Sequence, residues 1–303
     1  MSISIICPLY NGEQYIRNLD SSIRNQKNVE IVEIKYLLTK TNDNSLSILE
    51  DINAQYSVIE PSEFSHSLTR EKAAYLAKGD IIVFITQDII IEDEQWLYYL
   101  TKDIYEGKCE AAFSKQICDN MTIERYTRMK NYSDTSRIAS KENLDDLGIM
   151  AYFYSDASSA IKRDIYVKLN GYDNKNLITN EDMYIAYKLI NNGHRIKYCA
   201  ESKVIHSHKY TYKALFKRYF DQGVFLEQNK YINDAGANEG AFNLLKFTIK
   251  QTIKDKNIRA FLDIVPNFAV RFLANKMGRR YKKLSKETIL KYTSNKNYWT
   301  SEK

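Results

Sequence analysis

Apolar and polar positions in the first half of the chain alternate between two periods. Short consecutive apolar runs read as strands, and apolar residues every three or four positions read as helices. Ser2 to Leu9 is predicted as a strand, and Glu13 to Gln26 as a helix carrying Tyr15, Ile16, Leu19 and Ile23 on one face. Ile31 to Leu38 reads as a second strand, Ser45 to Ile52 as a helix, and Ser67 to Ala77 as a helix opened by a hydroxyl residue. Asp80 to Thr86 encloses the apolar run Ile81-Ile82-Val83-Phe84-Ile85, the signature of a strand buried on both faces. This order predicts an α/β protein with a doubly wound, mostly parallel sheet.

The pattern is less regular further on. Glu124 to Ser140 reads as a polar helix, Tyr152 to Ile161 as a strand, and Gly171-Tyr172-Asp173-Asn174 as a turn. A helix from Glu181 to Asn191 is stopped by Gly193, and short strands follow at Arg195 to Tyr198 and Lys203 to His206. Beyond His208 the signals are helical: Tyr212 to Gln228, Ala241 to Ile253, Ile258 to Lys276 and Lys286 to Tyr292. The change of character sets a boundary near residue 209.

Charge reinforces that division. The net charge of +6 over 303 residues conceals a front half of −5 and a tail, from Tyr210 onward, of +11. Mean hydropathy is −0.48, and no apolar run approaches a membrane span. The chain opens directly on a strand with no basic flank, which predicts no conventional signal peptide. Cys7, Cys109, Cys118 and Cys199 are scattered, as expected of reduced thiols in a cytoplasmic protein.

Three clusters could carry chemistry. Thr86-Gln87-Asp88 ends the buried strand, where open α/β sheets collect ligands. A carboxylate there suits a hard divalent cation, or alternatively caps the next helix. Asn180-Glu181-Asp182 begins a helix, whose dipole would keep Asp182 ionised and able to accept a proton, or would simply be complemented by the two acids. His206-Ser207-His208 presents two imidazoles on one side of a strand end. Pro8-Leu9-Tyr10-Asn11 leaves the first strand where a nucleoside commonly docks. There is no Gly-Xaa-Gly-Xaa-Xaa-Gly, no P-loop and no Gly-Xaa-Ser-Xaa-Gly, which argues against a dinucleotide fold, a P-loop kinase and that type of serine hydrolase.

Taken in order, Ile5 to Gly12, Thr69-Arg70 to Asp88, and Asp156 to His208 resemble the family-2 inverting glycosyltransferases, over about the first 210 residues. Thr86-Gln87-Asp88, Ser155 to Ala160, Asn180 to Met183 and His206 to Tyr210 are most similar to the bacterial rhamnosyltransferases. The resemblance implies a GT-A nucleotide-diphospho-sugar transferase fold: a mostly parallel sheet flanked by helices, with residues 1–209 catalytic and 210–303 a basic helical extension. It implies Asp182 as general base, and Mn²⁺ or Mg²⁺ at Asp88 with His206 or His208. Pro8, Tyr10, Asn11, Arg70 and Gln87 would hold the nucleotide sugar, and Asp156 and Glu181 would line the sugar or acceptor pocket. Many relatives end the second strand with an Asp that reads the base. Leu38 stands there in this chain, and Asp43 is the candidate substitute.

The implied activity is transfer of rhamnose from dTDP-L-rhamnose to a saccharide or lipid-linked saccharide of a bacterial surface polysaccharide. The alternatives are another donor such as a UDP-sugar, and a non-catalytic membrane-docking assembly protein. The tail's basic cluster, Lys276 to Lys283, follows an apolar stretch from Phe261 to Leu273. That combination suits an anionic membrane at the inner face of the plasma membrane, or packing against a neighbouring helix or a second copy. No nucleic-acid motif accompanies the charge.

Overall fold

The computed structural model describes residues 1–233 and 238–301. Eight strands form one sheet: β1 (Ser2–Leu9), β2 (Glu30–Thr39), β3 (Gln55–Ile59), β4 (Ile81–Ile85), β5 (Ala111–Ile117), β6 (Arg137–Ala139), β7 (Ser158–Lys162) and β8 (Ile196–Ile205). Their order is β3-β2-β1-β4-β7-β5-β8-β6. The pairs β1–β2, β2–β3, β1–β4 and β5–β8 are parallel; β7 runs against β4 and β5, and β6 against β8.

Helices in the first half are α1 (Ile16–Arg24), α2 (Ser45–Asp51), α3 (His66–Tyr75), α4 (Trp96–Tyr105), α5 (Ile123–Asn131), α6 (Leu144–Leu147), α7 (Arg163–Lys168) and α8 (Glu181–Asn191). The tail adds α9 (Tyr212–Gln228), α10 (Lys230–Asn233), α11 (Asn238–Lys254), α12 (Ile258–Gly278), α13 (Lys286–Tyr292) and α14 (Lys296–Ser301). Residues 234–237 and 302–303 of the predicted basic extension lie outside the described residues.

The five apolar residues of β4 are all buried, and their alternation divides them between the two faces of the sheet. Ile82 and Phe84 join one apolar cluster, while Ile81, Val83 and Ile85 join the other. The strand order turns back between β1 and β4, so a crevice opens beyond their carboxyl ends. Asp88 and the Pro8–Asn11 loop both sit on that crevice.

Several predicted elements have different bounds. The helix expected over Glu124 to Ser140 ends at Asn131, and β6 follows as a short edge strand. The strand expected over Tyr152 to Ile161 begins only at Ser158; a 3₁₀ turn covers Gly148–Tyr152. The two short strands after Arg195 are one continuous β8, whose register against β5 shifts between Ser114 and Lys115. That bulge explains the apparent break in pattern. The helix expected from Ser67 starts one residue earlier, at His66, where the Ser65 hydroxyl accepts the Leu68 amide at 3.2 Å. All four cysteines are buried and free.

The tail packs closely on the rest. Phe220, Val224, Phe225 and Ala274 belong to the same apolar cluster as Phe84 and Tyr184. Where α9 crosses α12, a Cβ at Gly223 would lie 2.3 Å from the Asn275 carbonyl oxygen, and one at Gly278 would lie 2.0 Å from that of Phe220. Only hydrogen fits between the two backbones, and no flexible side chain is there to move aside. Gly278→Ala should therefore destabilise by about 1–3 kcal/mol, the usual cost of overpacking, read as a lower thermal midpoint. A midpoint equal to wild type would mean that the helices do not meet this closely.

Candidate active site

Three parts of the chain converge beyond the end of β4. Ile90 and Ile205 form an isolated antiparallel bridge with hydrogen bonds of 2.8 and 2.9 Å. It draws the loop after β4 against the end of β8, so Asp88 meets the histidine pair. The His206 Nε2 atom lies 3.4 Å from Asp88 Oδ1, and His208 Nδ1 lies 3.8 Å from Oδ2. One ligand atom from each of Asp88, His206 and His208 falls within 4.8 Å of the others.

The hydrogen bonding around His206 bears on what the gap could hold. Its Nδ1 is 2.9 Å from Oε1 of Gln116, and that same oxygen accepts a hydrogen bond from Arg128. Gln116 Nε2 in turn donates to Ser155 Oγ at 2.7 Å. The amide is thus held with its oxygen toward the imidazole. Nδ1 carries the proton, and Nε2 turns a bare lone pair toward a carboxylate oxygen. Burial lowers the His206 pKa and pushes that of His208 down to about 4, which keeps both rings neutral and able to ligate. Burial opposes charge on Asp88, but in the acid range where this carboxyl titrates the imidazoles are themselves protonated, and the hydrogen bond and charge of His206, and then His208, hold it below its usual range. A neutral imidazole lone pair facing an ionised carboxylate fits a cation between them, and Mn²⁺ or Mg²⁺ accepts such a donor set.

A second group of acids lies at the start of α8. Arg70 Nη1 donates to Glu181 at 2.9 Å, with both side chains buried, and to the His66 carbonyl at 3.0 Å. Arg70, expected near a diphosphate, is therefore engaged by Glu181. Asp156 accepts from Ser159 at 2.7 Å and from the Tyr172 hydroxyl at 2.9 Å. Tyr172 is held by its own amide, which donates to Glu71 at 2.6 Å within the predicted turn, where Gly171, Asp173 and Asn174 all have positive φ. Asn180, immediately before α8, has φ 57° and makes no side-chain cap.

Asp182 departs further from expectation. The helix dipole was expected to keep it ionised. Instead its pKa is raised well above the usual value, first by burial and then by the charges of Glu181 and Asp156. Asp156 is raised as well, by burial above all. Asp182 lines a cavity of about 310 Å³ together with His206, Gln116, Tyr210 and Arg218. This pocket adjoins a larger cleft of about 1020 Å³ that shares Glu124, Tyr210 and Leu215 with it and runs along α12.

On the other side of the crevice, Gln87 clasps the first loop. Its Oε1 accepts the Tyr10 amide at 2.8 Å, and its Nε2 donates to the Tyr10 carbonyl at 2.9 Å. Tyr10 remains exposed, and Asn11 takes the left-handed conformation with its side chain bonded to Thr41. Pro8 pairs with Leu37 in the sheet. Asp43 accepts from the Ser45 hydroxyl at 2.8 Å and the Glu13 amide at 3.1 Å, so its carboxylate shapes this loop.

The profile of the glycosyl transferase family 2 domain matches residues 4–169. The chain belongs to this family. The glycosyltransferase is 29% identical to the O-antigen chain rhamnosyltransferase RfbN of Salmonella typhimurium, over 99% of this chain and 97% of that protein. It is 30% identical to the O-antigen chain rhamnosyltransferase WbaN of Salmonella anatum, over 99% and 96%. Its fold is similar to that of the mannosyltransferase PcManGT of Pyrobaculum calidifontis, solved with GDP-Man and Mn²⁺: TM-score 0.55, 15% identity, 98% of this chain and 84% of that one. The S. aureus TarS fragment solved with UDP-GlcNAc gives TM-score 0.54 at 15% identity, over 93% and 92%. The fold is GT-A.

Sequence reasoning on the glycosyltransferase missed Gln116, Arg128 and Arg218. Gln116 reaches His206 only through the β5–β8 pairing, and no local spacing announces it. Arg218 lies in a helix otherwise read as tail.

The raised pKa of Asp182 has a consequence for stability. A carboxyl whose folded pKa exceeds its unfolded one binds more protons when folded, so stability falls as pH rises through that interval. Asp182→Asn removes the desolvated charge and should raise the thermal midpoint at pH 7–8, with the gain vanishing near pH 4. A lower midpoint at neutral pH would contradict this electrostatic account.

Proposed function

We propose that this glycosyltransferase is an inverting rhamnosyltransferase that takes rhamnose from dTDP-L-rhamnose and extends a bacterial surface saccharide. The sugar and the acceptor class rest on likeness to the two Salmonella O-antigen chain rhamnosyltransferases along nearly the whole chain. The mechanism rests chiefly on one observation: a carboxyl of raised pKa, Asp182, shares a cavity with the imidazole of the Asp88–His206–His208 cluster.

Asp182 takes the proton from the acceptor hydroxyl as that oxygen attacks the anomeric carbon. The new carbon–oxygen bond forms on the face opposite the diphosphate, and the old one breaks with its electron pair leaving on the nucleoside diphosphate. A base with a raised pKa removes that proton more readily than an ordinary aspartate. When bound by Asp88, His206 and His208, Mn²⁺ or Mg²⁺ supplies Lewis-acid charge to the leaving group. Pro8, Tyr10, Asn11 and Asp43 form the nucleoside side, with Gln87 fixing the loop. Arg70 and Glu181 brace the pocket containing Asp156.

A screen for nucleoside diphosphate release should find turnover of dTDP-rhamnose and its loss on chelation. Asp182→Asn should cut the rate about 10²- to 10⁴-fold, and wild-type activity should fall toward acid pH as Asp182 protonates, over a range above that of an ordinary aspartate. Turnover of UDP-sugars alone would overturn the donor, and unchanged turnover after chelation the metal. No release with any donor would favour a non-catalytic docking protein.

The membrane is the second part of this reading. Among the described residues no helix is long and apolar enough to cross one. However, α12 leaves Leu262, Val265, Phe272 and Leu273 between 58% and 77% exposed, in a tail that carries excess positive charge. An exposed apolar face among lysines and arginines matches an anionic bilayer at the cytoplasmic face of the plasma membrane, where a lipid-linked acceptor would be presented. The protein should co-sediment with vesicles rich in phosphatidylglycerol, less so with neutral ones, and Leu262→Glu/Val265→Glu/Leu273→Glu should abolish this. A concentration-dependent dimer lost in the same variant would assign the face to a second copy.

A further inference from the structure

The arginines around the active cavity differ in how they are satisfied. Arg70 is bonded to Glu181. Arg128 bonds Gln116 and lies 3.3 Å from Glu124. Arg271 donates to Asn267 at 2.8 Å and to the Tyr219 hydroxyl at 2.9 Å. Arg218 is the exception. Among the described residues it makes no hydrogen bond or ion pair, only a stacking contact with the Tyr210 ring at 5.6 Å.

That contact locates it. Tyr210 is 5.1 Å from His208, and His208 is 4.4 Å from His206, ring centroid to ring centroid. A continuous row of rings thus leads from the Arg218 guanidinium to the cluster at Asp88. Arg218 also lines the cavity that holds Asp182 and His206. It remains open to solvent, yet Tyr210, Glu124 and Asp182 are all close enough to act on its charge.

Charge bookkeeping then indicates a ligand. A divalent cation with one carboxylate, Asp88, and two neutral imidazoles has a net charge of +1. The diphosphate of a nucleotide sugar carries two negative charges, and departure of the sugar adds to them. One positive charge is missing, and Arg128 is already matched by Glu124. Among the described residues, Arg218 is the arginine of this cavity left without a hydrogen bond or ion pair, with five donors in a planar fork suited to phosphate oxygens.

We propose that Arg218, delivered by α9 from the tail, clamps the donor's diphosphate and stabilises it as it leaves. The inference rests on the reading of Asp88, His206 and His208 as the diphosphate–metal site. It assigns to the tail a direct part in the chemistry: the guanidinium holds the phosphate oxygens on which charge builds as the bond to the anomeric carbon breaks.

The test is calorimetric titration of dTDP and dTMP, with Mn²⁺ and without acceptor, into wild-type protein, R218Q and R218K. Arg218 makes no internal hydrogen bond, so all three should unfold at similar temperatures. R218Q should bind dTDP about 10- to 100-fold more weakly, with dTMP changed less than about 3-fold and R218K in between. In turnover, kcat of R218Q should fall while KM for acceptor stays the same. Equal dTDP affinity in wild type and R218Q would overturn the clamp. So would an effect confined to acceptor KM, which would place an anionic group of the acceptor at Arg218. Wild-type protein that binds neither dTDP nor UDP, with or without Mn²⁺, would overturn the reading of the site itself.

Discussion

The structure has to keep Asp156, Glu181 and Asp182 within reach of one another's charge, beside a cavity that Asp182 shares with His206, and Asp88 against that histidine, all mostly away from water. Ionised carboxylates in such surroundings cost several kcal/mol each unless they are paired or hydrogen-bonded. Neighbouring side chains answer that cost. Arg70 is buried to meet Glu181, Tyr172 and Ser159 bond Asp156, and the histidines face Asp88. Asp182 receives the least help, a single bond from the Met183 amide. It therefore holds its proton far more tightly than Asp88 does, a useful property in the general base proposed above.

The sheet makes this crowding possible. The turn in strand order between β1 and β4 opens the crevice, and antiparallel β7, wedged between β4 and β5, carries Ser158 and Ser159 close to Asp156. The bulge in β8 and the Ile90–Ile205 bridge then bring His206 alongside Asp88. These contacts are backbone hydrogen bonds, so the positions of the acidic and imidazole groups are fixed by the sheet and not by loop packing alone.

What could be read from the sequence divides along the same line. Ile81 to Ile85 announced β4 because a strand buried on both faces is apolar throughout. The edge strand β3, with Tyr56 and Val58 partly or largely exposed, carried no such signal. Asp88, Asp182 and His206-Ser207-His208 were legible because each sits in a short distinctive stretch at the end of an element. Gln116, which sets the His206 tautomer, was not, since its role exists only once β5 and β8 pair. The electrostatics of Asp182 were hidden for a similar reason. A helix N-terminus is a local feature that favours the anion, whereas burial beside Asp156 depends on residues far away in the chain, and burial wins.

The crossing of α9 and α12 at Gly223 and Gly278 bears on how the two parts of the protein can vary. Backbone meets backbone there, so neither helix can slide or roll without pulling away from the other. Arg218 lies little more than a turn before Gly223 on the same helix, and its reach into the cavity is set by that seat. The catalytic centre and the tail are consequently not interchangeable modules. A chimaera joined near residue 209 inherits both halves of the crossing together. One joined between 227 and 278 combines halves that were never fitted to each other, and it misaligns the cavity without changing one residue that lines it.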